Sequence, residues 1–145
     1  MAAGRSRPGF VFVQGVGEQL PFPDHRFDFL AMGYALRHVP DLDQTFREYL
    51  RVLKPGGRLL LLEITKPRSW LGTMLARIYF GTLVPSLARL STRSAAAAEL
   101  MRFYWDTIAQ CVPPETVLAS LDRAGFLAKH TVINDIFSEY TATRR

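Results

Sequence analysis

The sequence predicts an α/β fold: a mostly parallel sheet with an antiparallel edge, carrying a helical lid. Three observations lead there. Arg58–Thr65 (RLLLLEIT) places four consecutive leucines between a Gly-Gly turn and Pro67, the signature of a buried strand. Ahead of it lie a second apolar run and then a helical repeat, so strand, helix, tight turn and strand follow as a βαβ unit. Such a unit demands parallel pairing and a right-handed crossover. Two short β-rich runs then close the chain after a proline-opened helix.

Taken in order, Gly9–Gln14 (GFVFVQ) is β-branched and aromatic and predicts a first strand. Leu20–Asp24 carries prolines at 21 and 23, which fit neither a helix interior nor a central strand, so it predicts a loop. Phe27–Met32 (FDFLAM) predicts a strand buried on both faces. Asp41–Leu53 predicts a helix, capped by Asp41 or Asp43, with Phe46, Tyr49, Leu50 and Leu53 at helical spacing. Lys54-Pro55-Gly56-Gly57 stops it.

Ser69–Leu90 predicts one or two amphipathic helices broken near Pro85. Ala95–Gln110 predicts another. Pro113-Pro114 opens a helix that Gly125 ends. Leu127–Val132 and Ile136–Thr141 predict an antiparallel pair at the sheet edge. The domain is expected over 10–145, with a helical lid at about 67–111 and a disordered tail over 1–9.

The 145 residues suit one domain, and 48% hydrophobic content can form a real core. A single cysteine, Cys111, excludes a disulfide framework and a cysteine-rich zinc site. Met1–Pro8 has two arginines and no apolar stretch, so it does not read as a signal peptide. No run of 18 apolar residues is present to span a membrane. A reducing, cytoplasmic setting is the default expectation, with peripheral membrane contact left open.

The net charge of +5 is concentrated. Between Lys66 and Arg102 stand six basic residues and one acid, Glu99, while the remainder holds 12 of each sign. Such a field suits an anionic surface or substrate, or is simply a solvated basic face. Basic and aromatic residues are not interleaved on a strand pair, so nucleic acid is not expected as a partner.

Five stretches carry a resemblance. They are EQLPFPDHRFD at Glu18–Asp28, YALRHVPD at Tyr34–Asp41, RVLKPGGRLLLLE at Arg51–Glu63, AGF at Ala124–Phe126, and IFSEYTA at Ile136–Ala142. They resemble the later half of class I S-adenosylmethionine (SAM) methyltransferases, and within these the ubiquinone/menaquinone-type C-methyltransferases. The resemblance implies an incomplete Rossmann-like sheet, SAM as cofactor, and methyl transfer to a small, lipophilic or quinone-like acceptor. It also implies a glycine-rich turn for the methionine end of SAM. No G-x-G-x-G precedes Phe10, and Gly15-Val16-Gly17 leads into the LPFP loop rather than a helix. The chain is therefore expected to hold the acceptor side of such a domain. The rival expectation is a non-catalytic subunit or truncated product that associates through an open sheet edge.

Ligands of open α/β sheets bind beyond the C-terminal strand ends. Val16, Gly17, Glu18 and Gly33 are the cofactor candidates, Val16 and Gly17 standing where the family sets an acid–small pair against adenine. Arg37 matches the family's arginine and would stabilise a phenolate or orient a water; a surface pair with Asp41 is the alternative. His38 could act as a base or merely cap a loop. Tyr34, Tyr104 and Trp105 are the substrate-binding candidates, with core packing as the rival reading. Glu63 would hold the lid. Cys111 reads as an inert buried thiol. The histidines show no ligand spacing, so no metal is expected.

Overall fold

A computed structural model describes residues 9–65, 67, 69–92, 96, 99–100, 103, 106–108, 110–134 and 136–145. Strand β1 (Phe27–Gly33) leads through a short 3-10 turn to helix α1 (Leu42–Val52) and strand β2 (Leu53–Ile64). Helices α2 (Trp70–Ile78) and α3 (Val84–Thr92) follow, joined by a π-helical turn over Tyr79–Leu83. Helix α4 (Pro114–Ala124) and strands β3 (Phe126–Ile133) and β4 (Phe137–Arg144) complete the chain. The four-stranded sheet runs β1-β2-β4-β3.

The βαβ expectation holds: β1 and β2 pair in parallel, from Phe29 opposite Arg58 to Gly33 opposite Leu62. Between Leu53 and Arg58 the register shifts, so Lys54–Gly57 bulges out as the tight turn. Helix α1 begins where predicted. The Asp41 carboxylate accepts the Gln44 N–H at 2.9 Å, satisfying one of the orphan donors of the first turn. Gly125 ends α4 at φ 106°, a left-handed conformation that glycine adopts without steric cost.

The core lies between one sheet face and the α1–α4 pair. Phe46, Leu53, Leu59, Leu61, Val117, Leu121, Phe126 and Tyr140 are buried there. Asp43 ties the helices together by accepting from the Ser120 hydroxyl and the Arg123 guanidinium. The other sheet face is open, with Phe29, Arg58 and Leu127 exposed. A hollow of about 610 Å³ lies across it, lined by Leu60, Lys129 and Thr141 among others.

Three expectations are corrected. Phe10–Gln14 forms no strand and stays exposed, because no neighbouring strand completes a ladder with it. Phe27–Gly33 forms β1 but is not buried on both faces, because the second sheet face is uncovered and leaves Phe29 50% exposed; the closing hairpin is antiparallel at the sheet edge as expected, with β4 beside β2 and β3 outermost on that side. Pro85 does not end the helical run. The Val84 N–H donates five residues back to the Tyr79 carbonyl, and this wider turn leads directly into the proline-containing helix. The expected helix at 95–110 falls partly outside the described residues; Ala96, Glu99, Leu100, Phe103 and 106–108 are helical. The tail 1–8 also lies outside them.

Candidate active site

The sheet delivers its polar residues to the C-terminal ends of β1 and β2. Glu63 is the last inward-facing residue of β2, 1% exposed, after the buried Leu59 and Leu61 on the same face. An ionised carboxylate survives there only with partners. Arg37, in the 3-10 turn after β1, supplies them twice: its Nη1 donates to Glu63 Oε1 at 3.0 Å and its backbone N–H to Oε2 at 3.3 Å. The Ile64 N–H adds a third bond at 2.9 Å. The side chains are 6% and 0% exposed, so this ion pair is buried. The partner is thus Glu63 and not Asp41, which is used as the α1 cap. Glu63 anchors the arginine turn.

His38 stands beside it, its Nε2 accepting from Arg37 Nε–H at 3.3 Å. That bond requires the lone pair on Nε2. Cys111 approaches from the loop before α4. Burial, with the Glu63 charge next and Arg37 opposing, pushes its thiol up to about 11, so it stays protonated at neutral pH. Farther along β4, the Ser138 hydroxyl bonds Thr65 Oγ1 at 3.1 Å and His130 Nε2 at 3.0 Å. Tyr140 stacks on His130, and its hydroxyl has no hydrogen-bond partner among the described residues. Burial pushes that hydroxyl up to about 12; the Ser138 hydroxyl lies near enough to oppose the shift but does not meet hydrogen-bond geometry with it.

Tyr34 follows Gly33 at φ 58°, a left-handed conformation rare for a bulky residue, and its ring is half-exposed. Its backbone N–H donates to the Leu62 carbonyl at 2.7 Å, which fixes the turn against β2. Gly33 is open: a Cβ there would meet nothing within 4 Å.

Val16, Gly17 and Glu18 form a tight turn closed by the Gln19 N–H to the Val16 carbonyl. A side chain at Gly17 would come to 3.4 Å from the Tyr49 hydroxyl, so the loop lies against α1. That hydroxyl donates to Met32 Sδ at 3.4 Å, on β1 next to Gly33. Through Tyr49 the structure links the two loops carrying the cofactor candidates. A hollow of about 410 Å³ lined by Gln14, Gly15, Val16, Gln19, Leu20 and Pro21 adjoins the first. The LPFPD loop behind it is clamped to α1: Glu48 accepts the Leu20 N–H, and Arg51 donates to the Leu20 carbonyl and to Asp24. Arg51 thereby holds both Asp24 and Glu48 below the usual carboxylate range.

The structure thus brings Arg37, His38 and Glu63 into one cluster, and Val16, Gly17, Glu18 and Gly33 to one edge. Tyr104 and Trp105 lie outside the described residues. Sequence reasoning missed that Glu63 grips Arg37; the available signal was one acid inside an otherwise apolar strand. No group of three potential metal ligands occurs among the described residues.

Comparison with known proteins gives the family and the fold. Residues 3–134 match the ubiE/COQ5 methyltransferase family. The ubiquinone/menaquinone biosynthesis C-methyltransferase UbiE of Pseudomonas paraeruginosa (strain DSM 24068 / PA7) is 42% identical over 115 residues, 79% of this chain and 44% of that protein. The UbiE of Saccharophagus degradans is 36% identical over 116 residues, 80% of this chain and 45% of that protein. The chain therefore spans less than half the length of the curated relatives it matches. Among solved structures, a SAM-dependent methyltransferase from Thermotoga maritima, a possible histamine N-methyltransferase, superposes with TM-score 0.62 at 19% identity, over 94% of this chain and 65% of that one. Human N-acetylserotonin methyltransferase in complex with SAM gives 0.56 at 16% identity, over 95% and 36%. These establish a Rossmann-like class I methyltransferase fold, and the sequence match places the chain in the ubiE/COQ5 methyltransferase family.

Proposed function

We propose that this chain forms the acceptor side of a SAM-dependent methyltransferase acting on a small, lipophilic, quinone-like molecule. The observation that carries the reading is the buried Arg37–Glu63 pair at the C-terminal strand ends, beside the strained Tyr34. SAM, when bound, supplies a methyl group on a sulfonium. The residues present fit its adenine end: among the described residues no group accepts from the Gly17 N–H, and the Gly33 surface is open. Val16 and Glu18 would flank the ring, and Gly33 would admit the cofactor close to the β1 end.

Arg37 would hold a positive charge beside an acceptor's phenolic oxygen and favour its phenolate form. Glu63 fixes that guanidinium. His38 can take the phenolic proton only after releasing its contact with Arg37, since one lone pair serves both. In this reading Tyr34 offers a ring face to the acceptor, and Tyr104 and Trp105 are further substrate-binding candidates. An acceptor of this class resides in membranes, so peripheral membrane contact through 69–90 belongs to the same reading.

Isothermal titration with SAM and S-adenosylhomocysteine, followed by transfer of labelled methyl to a hydroxynaphthalene acceptor, tests the proposal. Saturable heat and methyl incorporation are expected; no saturable heat at millimolar ligand would end it for this chain. A second reading is favoured by the unpaired outer edge of β1 and the exposed Phe29 beside it. It makes the chain a non-catalytic subunit that pairs through that edge. Light scattering that gives a monomer at all concentrations counts against it.

A further inference from the structure

The helical arm after β2 presents a surface that the methyl-transfer chemistry does not use. From Trp70 to Leu83 no residue is buried. Trp70 is 77% exposed, and Leu71, Met74, Leu75 and Ile78 are each about half-exposed. At 100° per residue these five fall within one arc of α2, with Arg77 on its border. Leu83, Leu87 and Leu90 continue exposed at i, i+4 and i+7 into α3, where Arg89 is also exposed. An exposed apolar arc of this extent on α2, with further exposed leucines on α3, marks an interaction surface.

Its charge identifies the partner. Between Glu63 and Glu99 the sequence holds Lys66, Arg68, Arg77, Arg89 and Arg93 and no acid. A second copy of the same face would bring cations onto cations with no carboxylate to pair them. An anionic lipid surface accepts both components, acyl chains under the apolar arc and phosphates beside the arginines. No helix among the described residues is long and apolar enough to cross a bilayer, so the arm would lie along the surface. The exposed Trp70 and Tyr79 are of the type that settles at the headgroup level.

We propose that 70–92 docks in the plane of an anionic bilayer, Trp70, Leu71, Met74, Leu75 and Ile78 entering the headgroup boundary and Arg77 and Arg89 binding lipid phosphates. This deepens the membrane contact proposed above and stands on the arm alone, independent of SAM.

The test is co-sedimentation of the full chain with vesicles of phosphatidylcholine and of phosphatidylcholine with a quarter phosphatidylglycerol, at low and high salt. Binding to the anionic vesicles is expected, weakened by salt. Arg77→Gln with Arg89→Gln is expected to lower partitioning about 30-fold, from about fivefold per lost cation near the surface. Leu75→Ser with Ile78→Ser is expected to reduce it at both salts, both variants keeping the wild-type circular dichroism. Brominated lipid should quench Trp70, read as the difference from Trp70→Phe. No partition into anionic vesicles, or equal binding to neutral ones with the arginine variant unaffected, overturns the proposal. So does a dimer that the leucine–isoleucine variant dissolves while vesicles leave it intact. Vesicle binding without SAM binding sustains this inference and sinks the enzymatic one; SAM binding without vesicle binding does the reverse.

Discussion

Arg37 and Glu63 form a buried ion pair, Nη1 to Oε1 at 3.0 Å, between residues 26 positions apart in the sequence. Breaking such a pair on one side leaves the surviving buried charge without its counter-ion. Glu63→Ala is therefore expected to destabilise the fold by about 3–5 kcal/mol. Replacing both partners, Arg37→Met with Glu63→Leu, should restore most of that loss, because the desolvation cost of the ions goes with them. Urea unfolding of the two variants checks this. A double variant no better than Glu63→Ala would mean that the pair is not the source of the cost.

Arg51 is the clamp on the LPFPD loop, bonding Glu48, Asp24 and the Leu20 carbonyl. Arg51→Ala should free the loop and speed trypsin cleavage after Arg26 several-fold while α1 stays folded. The clamp also sets an acid limit. Asp24 and Glu48 are held below their ordinary values of 3.8 and 4.5, chiefly by Arg51. Their contribution is complete above those ordinary values and is lost as pH falls through the lower folded ones. Stability should thus decline below about pH 4.5 in the wild type and more shallowly in Arg51→Ala, as read by thermal melts from pH 7 to pH 3.

Cys111 should resist alkylation. With its thiol pushed up to about 11, the thiolate is a small minority at pH 8 and grows tenfold per pH unit until near 11. Iodoacetamide rates across pH 7–10 measure this. A plateau near pH 9 would show an ordinary exposed thiol.

Tyr140 carries a fully buried hydroxyl with no hydrogen bond among the described residues. Tyr140→Phe removes the unsatisfied group while keeping the ring stacked on His130. The expected change runs from none to about 1 kcal/mol of added stability. A loss above 1 kcal/mol would reveal a partner for that oxygen.

Local rules made much of the fold legible. Asp41 with the Phe46–Leu53 spacing gave α1, the Pro-Gly-Gly turn gave the bulge into β2, and Gly125 gave the end of α4. Non-local pairing was not legible. GFVFVQ has every local mark of a strand, but a strand exists only when another edge lies beside it, which composition cannot supply. The insertion of β4 between β2 and β3 escaped for the same reason. At the site, Arg37 was found by resemblance, whereas its partner needed the fold. Asp41 was nearer in sequence, yet the helix had already claimed its carboxylate.

The Thr65 and Ser138 hydroxyls bond across a gap of 73 residues, and the helical arm, α4 and β3 all lie inside that loop. The β1–α1–β2 unit can form from near neighbours, but β4 reaches its slot only when the whole loop closes, so sheet completion should be a late step in folding. The same arrangement insulates the sheet from the arm. Doubling the length of a flexible closed loop adds only about 0.6 kcal/mol to its closure. Arms of different length and surface could therefore be exchanged on one unchanged sheet without rebuilding its core.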